Sequence, residues 1–203
     1  MANVVSTRSS PASTEQRILD VATVFFYEKG YHATTMREVA ARVGIKAGSL
    51  YNHFPSKEAL LFQIAEGVMQ ELLAGGREAV AAESQPREQL RALVRAHVVY
   101  HAEQRFRAKV ADDQLNALGP ERRTQVVAVR DEYERLWRDV LDAGRTQHGW
   151  IVTDTPVVTF AVTTMCTAVD VWYRESGRLT PSDVADLYEE LVLGAVERRP
   201  SAG

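Results

Sequence analysis

The sequence predicts an all-α protein of about nine helices. Apolar residues recur at intervals of three and four along most of the chain, as in Ile18, Val21, Ala22 and Phe25, and this spacing places them on one face of a helix. Strand signals are scarce, and glycine, proline and N-capping residues divide the chain into segments of helical length. With 203 residues and 45% hydrophobic content, the chain can form a small domain joined to a larger one.

Capping and stop signals divide the first third of the chain into four helices. Ser13 and Thr35 are each followed three residues later by Gln or Glu, which is the pattern of a capping box, and Lys29-Gly30 is a typical helix end. The predicted helices run from residue 14 to 29, from Thr35 to Arg42, from Ala47 to His53, and from Lys57 to about Ala74, where Gly75-Gly76 ends or bends the last one.

Proline marks the start of most later helices, because it fits the first helical turn. These helices are predicted to run from Pro86 towards Arg107, from Glu121 to about Gln147, from Pro156 until Gly177, and from Pro181 towards the end of the chain. Residues 1–12 are polar and predict a disordered arm. They lack the apolar core of a signal peptide, so we expect a cytoplasmic protein.

Several function classes are disfavoured by composition. Cys166 is the only cysteine, which excludes an internal disulfide and a cysteine zinc cluster. There is no P-loop, no dinucleotide glycine fingerprint and no activating base evident for Cys166, so we predict neither an enzyme nor a cofactor. His97 and His101 have the spacing of metal ligands, but no third ligand stands out, and no metal site is predicted.

The distribution of charge and hydropathy favours a nucleic-acid partner over a membrane. The net charge is −3, yet residues 1–60 contain seven Lys or Arg against five acids, so this part is +2 and the remainder −5. The most apolar stretch, Pro156–Tyr173, is interrupted by threonines and by Asp170. This pattern favours a buried helix over a membrane span.

Two short predicted helices, Thr35–Arg42 and Ala47–His53, flank a turn at Gly44 and have the dimensions of a helix-turn-helix. Leu50 and Phe54 give the second helix an apolar side. Its other side combines small residues, which allow a close approach to a groove, with hydrogen-bonding and basic groups. We therefore expect this side to face DNA.

The segment ATTMREVAARVGIKAGSLYNHFPSKEALL resembles the DNA-binding signature of the TetR/AcrR family of repressors, and the similarity extends back through RILDVATVFFYEKGY. The resemblance implies a DNA-binding domain at residues 13–58 and a ligand-binding and dimerisation domain at 59–199. Thr34, Thr35 and Lys57 would contact phosphates. The residues that would enter or line the major groove or meet the backbone beside it are Lys46, Ala47, Gly48, Ser49, Tyr51, Asn52 and His53.

The last two predicted helices indicate a homodimer, since apolar residues surround the first and form a stripe along the second. The same pairing is implied by the resemblance. The segment around Trp172-Tyr173-Arg174, Gly177 and Leu179 is further similar to TetR-type repressors that sense CoA thioesters, including those of steroid-ring and fatty-acid catabolism. The ligand-binding residues predicted on this basis are Trp172, Arg174, Arg105, Met165 and Val169.

These observations together predict a ligand-responsive repressor that binds a palindromic operator as a dimer and is released by a small molecule, with an acyl-CoA or steroid-CoA ester as one candidate. Two alternatives remain open. The effector could be a drug-like or other hydrophobic molecule without CoA. The protein could instead be a DNA-architectural protein that responds to no ligand, although a large C-terminal helical domain would then be unexplained.

Overall fold

The computed structural model describes residues 13–197, which are mainly helical and contain no strand. The all-α prediction is therefore confirmed. The predicted arm at residues 1–12 lies outside the described residues. The helices are α1 Thr14–Lys29, α2 Met36–Val43, α3 Ala47–His53, α4 Lys57–Ala81, α5 Pro86–Glu103, α6 Arg105–Asp113, α7 Pro120–His148, α8 Thr155–Thr167, α9 Val169–Trp172 and α10 Pro181–Val196, with a 3-10 turn at Leu115–Ala117.

The chain divides into two compact units, with the boundary between Leu60 and Leu61. In the first unit, α1, α2 and α3 bury a small core that includes Ile18, Phe26 and Leu50. Burial of these apolar side chains holds together helices that are too short to be stable alone.

The second unit is organised around α5, which contacts α7, α8, α9 and α10. Its core includes Leu90, Leu93, Trp137 and Leu141, each fully buried. A carboxylate is also buried here: Glu189 of α10 is 3% exposed and lies close to two arginines of α5. The charge is therefore paired, as burial of an ionised group requires.

Three helix ends differ from the prediction. The Gly75-Gly76 pair does not end α4, because Gly76 packs against α7 so closely that a Cβ there would lie 2.8 Å from the Tyr133 ring. Close packing outweighs the low helix propensity of glycine, about 1 kcal/mol per residue. The helix from Pro86 ends at Glu103, and α8 ends at Thr167 instead of continuing to Gly177.

Candidate functional site

The helix-turn-helix geometry is determined by caps at both ends of α2. The Thr35 hydroxyl accepts a hydrogen bond from the Glu38 backbone N–H at 3.3 Å, and the Glu38 carboxylate accepts one from the Thr35 N–H at 2.9 Å. Hydrogen bonds to the carboxylate from the Thr35 hydroxyl, the Thr35 backbone N–H and the Lys29 ammonium lower the pKa of Glu38 to about 2. At the other end Gly44 adopts φ +81°, a left-handed conformation that a glycine accommodates without strain. The chain can therefore turn directly into α3.

α3 has one buried side and one open side. Leu50 is fully buried and Phe54, which follows the helix, is 7% exposed. Tyr51 is 48% exposed, and Asn52 and His53 are exposed beside it. Of the other predicted contact residues in this segment, Lys46 and Gly48 are exposed, and Ala47 and Ser49 are half-buried. The buried apolar residues Leu50 and Phe54 thus orient a side of α3 that is exposed.

Thr34 is a correction to the predicted phosphate contacts. Its side chain is 1% exposed, and its hydroxyl lies 3.2 Å from the Phe25 carbonyl and 3.0 Å from the Gly30 carbonyl, to which it donates. The hydroxyl ties the end of α1 to the following loop and cannot reach a phosphate. Thr35, by contrast, is exposed.

The side chain of Lys57 also has a different role from the predicted one. Its ammonium donates hydrogen bonds to the backbone carbonyls of Tyr31 at 2.8 Å, His32 at 3.0 Å and Thr34 at 2.9 Å. It also lies 4.5 Å from the centre of the Tyr31 ring. Three acceptors use all three ammonium hydrogens. The side chain therefore holds the loop between α1 and α2, which corrects its assignment to a phosphate.

A cavity of about 310 Å³ lies within the second unit. Its wall is formed by α4, α5, α6, α7 and α8. The lining residues are Met69, Leu72, His97, His101, Asp112, Arg130, Tyr133, Glu134, Phe160, Thr163, Thr164 and Thr167. Phe160 and Thr164 line the cavity and are exposed to solvent, so the cavity is open beside α8. Most of the wall surface is apolar although most lining residues also carry a polar group. Apolar surface with some polar groups is typical of small-molecule sites, and the volume lies at the lower end of their range.

Two buried histidines belong to the polar part of this wall. The rings of His97 and His101 stack with their centroids 4.3 Å apart. His97 Nδ1 lies 2.9 Å from the Tyr133 hydroxyl, and Nε2 lies 3.0 Å from the Thr167 hydroxyl. Burial lowers the pKa of His101 to about 4, and burial and the neighbouring His101 lower the pKa of His97 well below its usual value. Both imidazoles are therefore neutral near pH 7.

The charged residues of the wall are mainly acidic. Asp112 accepts a hydrogen bond from Arg130 at 3.3 Å, and Glu134 accepts one from Arg138, one turn further along α7, at 2.6 Å. Burial raises the pKa of Asp112 despite the opposing effect of Arg130. Across residues 13–197, no group of three or more His, Cys, Asp or Glu side chains is arranged to hold a metal ion.

The second unit exposes large apolar side chains on α8, α9 and α10. The most exposed are Phe160 at 70%, Val157 at 62%, Leu191 at 59%, Val171 at 56% and Leu187 at 52%. The segment Thr155–Trp172 has the length and mean hydropathy, 1.2, of a membrane span. Length and composition alone do not separate such a span from an interface helix, and exposed apolar surface of this kind marks an interaction site.

Two matches together span most of the chain. Residues 18–64 match the family described as "Bacterial regulatory proteins, tetR family", and residues 83–196 match "Tetracyclin repressor-like, C-terminal domain". The chain belongs to the TetR family. The second match alone covers more than half of the 203 residues, so the TetR assignment does not depend on the helix-turn-helix alone.

Individual relatives agree with the TetR assignment. The chain is 35% identical to the HTH-type transcriptional repressor KstR2 of Rhodococcus jostii over 91% of this chain and 92% of that protein. It superposes on a tetR-family regulatory protein from Rhodococcus RHA1 with a TM-score of 0.87 at 28% identity, covering 94% of this chain and all of that one. The structure of KstR2 from Mycobacterium tuberculosis gives a TM-score of 0.85 at 28% identity, covering 94% and 98%.

Membership of the TetR family confirms the prediction of a DNA-binding transcriptional repressor. The family consists of regulators and not of enzymes, as the sequence also indicated. Nothing in these matches supports the alternative of an architectural protein without a ligand-responsive domain.

The five predicted ligand residues do not line the cavity. Val169 is fully buried in the core, and Met165 is 37% exposed. Trp172 and Arg174 line a separate surface groove with Tyr173, Gly177, Arg178 and Leu179. Arg105 donates to the Tyr173 carbonyl at 3.3 Å. These side chains therefore do not form one site.

The sequence did contain a signal for the cavity. The i, i+4 spacing of His97 and His101 places both imidazoles on one face of α5, where the two neutral rings stack in a buried wall instead of binding a metal. Tyr133 and Arg130, three residues apart on α7, had no distinguishing pattern, because their convergence on His97 and Asp112 depends on how α5, α6 and α7 pack.

Proposed function

We propose that this TetR-family protein represses transcription by binding a palindromic operator as a homodimer, with α3 of each protomer in the major groove. The observation that supports this most directly is the division of α3 into a buried side at Leu50 and an open side at Tyr51 and Asn52. The helix is seven residues long, which is the size of a recognition helix.

The proposed contacts follow from chemistry and exposure. Gly48 and Ala47 lack bulk and allow the backbone of α3 to approach the groove. The Asn52 amide can donate to and accept from an adenine edge. Lys46, Ser49, Tyr51 and His53 would hydrogen-bond phosphates or groove edges. The Thr35 hydroxyl already donates to the Glu38 carboxylate at 2.8 Å and would act indirectly, by capping α2. Lys57 would act indirectly, by fixing the loop before α2.

A homodimer through α8 and α10 is supported by the exposed apolar series on these helices. Phe160 and Leu191 are 70% and 59% exposed, and covering such side chains contributes about 25 cal/mol per Å². Twofold symmetry also matches a palindromic operator. The substitution Leu191→Glu would place two like charges in the interface and give monomers in analytical ultracentrifugation. A variant that remained dimeric would place the interface elsewhere.

The effector is proposed to be a CoA thioester whose acyl end occupies the cavity. Support for an apolar acyl group comes from the 35% identity to KstR2, because the M. tuberculosis protein of that name is described as a ketosteroid transcriptional regulator, and from the apolar Met69, Leu72 and Phe160 in the wall. Trp172 and Arg174 in the surface groove could hold an adenine and a phosphate. We place this regulator in the cytoplasm, where bacterial DNA and CoA esters occur.

A hydrophobic effector without CoA is the second candidate, because the lining carries two acids, Asp112 and Glu134, against one base, Arg130. Thermal-shift measurements with matched acyl-CoA esters and uncharged acyl amides separate the two. Stabilisation by the ester alone supports the CoA proposal, and stabilisation by the amide alone contradicts it.

Footprinting of the purified protein on genomic fragments tests DNA recognition. We expect a symmetric protected site with half-site centres about 34–36 Å apart, or a multiple of that distance. In Asn52→Ala, preference at one base position should relax, whereas binding by Lys46→Met should weaken on all sequences alike. Equal effects of the two substitutions would contradict the assigned roles, and binding without sequence preference would contradict the proposal.

A further inference from the structure

The two cavity histidines differ in hydrogen bonding although they are equally buried. His97 and His101 are 3% and 2% exposed. Both ring nitrogens of His97 have hydroxyl partners. Neither Nδ1 nor Nε2 of His101 has a hydrogen-bond partner within residues 13–197. Buried polar atoms are nearly always paired in native proteins. An imidazole without partners, in the wall of a cavity, therefore indicates a ligand atom that completes its hydrogen bonds.

The protonation of His101 limits which ligand atom this is. Burial lowers its pKa to about 4, so near pH 7 the ring offers one N–H donor and one lone-pair acceptor but no charge. A neutral imidazole can donate to a carbonyl oxygen or accept from a hydroxyl. It does not compensate the charge of a carboxylate or phosphate that loses its water.

The charges around the cavity point the same way. Asp112 and Glu134 contribute two carboxylates to the wall, and each already accepts a hydrogen bond from an arginine, Asp112 from Arg130 and Glu134 from Arg138. An anion entering the cavity would therefore lose its hydration while the one lining base, Arg130, is already paired. The wall accommodates an uncharged ligand end.

We propose that His101 is a specificity-determining residue of the effector cavity and hydrogen-bonds an uncharged oxygen, carbonyl or hydroxyl, on an otherwise apolar ligand group. This inference rests on the proposed function in so far as it takes the cavity to be the effector site. The apolar part of the ligand would pack on Met69, Leu72 and Phe160, while His97 fixes the His101 ring by stacking.

The first test uses the ligand-free protein. In His101→Phe, two unpartnered polar atoms are replaced by apolar ones, so the melting temperature should rise by about 2–4 °C. The matched control is His97→Phe, which leaves the Tyr133 and Thr167 hydroxyls without their partner and should lower it. If His101→Phe destabilises the protein as much as His97→Phe does, the His101 nitrogens are already satisfied and the inference is refuted.

The second test measures binding of four probes that share one hydrocarbon: naphthalene, 2-naphthol, 2-acetylnaphthalene and 2-naphthoate. Equilibrium dialysis with the full-length protein at pH 7.5 should show that the naphthol and the ketone bind about tenfold tighter than naphthalene or the carboxylate. This preference should disappear in His101→Phe. The inference is overturned if no probe binds, if all bind equally, if the carboxylate binds best, or if the preference survives the substitution.

Neither measurement contains DNA. A failure of this inference can therefore be distinguished from a failure of the proposed repressor function. A protein that prefers the uncharged oxygen but binds no operator would contradict the repressor proposal and leave this inference intact. A protein that binds its operator but shows no preference among the four probes would contradict only the role of His101.

Discussion

The substitution Lys57→Met distinguishes a structural lysine from a DNA-contacting one. Methionine keeps the unbranched stem and the helix propensity of lysine but removes the ammonium that donates to the carbonyls of Tyr31, His32 and Thr34. If these bonds hold the loop between α1 and α2, the variant should lose stability even without DNA.

The size of the loss follows from the environment of the three carbonyls. The bonds to Tyr31 and Thr34 are part-buried, whereas that to His32 is exposed. Hydrogen bonds from a charged donor contribute about 1.5–3 kcal/mol, and the cation–π contact with Tyr31 adds about 0.5–1 kcal/mol. After partial rehydration of the carbonyls, we expect a net loss of about 2–3 kcal/mol. For a chain of this length the melting temperature should fall by about 4–12 °C.

Urea denaturation followed by circular dichroism measures this loss, and operator binding at several salt concentrations completes the assay. The matched control is Lys46→Met, because Lys46 is exposed at the start of α3. It should leave stability unchanged and reduce the slope of log K against log salt by about 0.9, the value of one phosphate contact. If Lys57→Met is as stable as the wild type and itself reduces the slope by about 0.9, the phosphate role predicted from sequence is correct and the structural role is refuted.

Three further perturbations have expected outcomes. Burial raises the pKa of Asp170 to about 6. The folded state therefore binds this proton more tightly than the unfolded state does, and stability falls as pH rises from about 4 to 6. In urea denaturation, Asp170→Asn should be more stable than the wild type by about 2–3 kcal/mol at pH 7 and no more stable at pH 4. Gly44→Ala should cost about 1 kcal/mol in the same assay because of the left-handed φ, whereas Gly48→Ala should not; equal effects would contradict the assigned strain. Glu189→Gln should cost about 1–3 kcal/mol, since the carboxylate is buried beside two arginines, while the exposed Glu190→Gln should change stability by less than about 1 kcal/mol.

The sequence predicted most helix starts because capping is local. Thr35 with Glu38 and Thr180 with Asp183 form capping boxes in the structure, and each needs only residues three apart. The ends of α4 and α8 were less predictable. In α4, Gly76 packs closely against the ring of Tyr133, which is 57 positions later in the sequence, and no local pattern indicates this contact.

The same distinction separates the two candidate sites. The open side of α3 could be predicted because exposure of Tyr51 and Asn52 follows from burial of Leu50 within one short helix. The buried state of Thr34 could not, since its carbonyl acceptors lie on α1 and at Gly30. The ligand residues around Trp172 were predicted from resemblance alone, and the cavity is assembled by five helices whose packing no local pattern encodes.

α8 contributes residues both to the cavity wall and to the exposed apolar surface. Phe160 lines the cavity and is 70% exposed. In a symmetric dimer joined through this helix, the binding of a molecule that contacts Phe160 would also depend on the neighbouring subunit. Occupancy of one cavity and affinity between subunits would then be thermodynamically linked, and each would change the other by the same factor. Such a repressor would respond to its effector with a midpoint that depends on protein concentration.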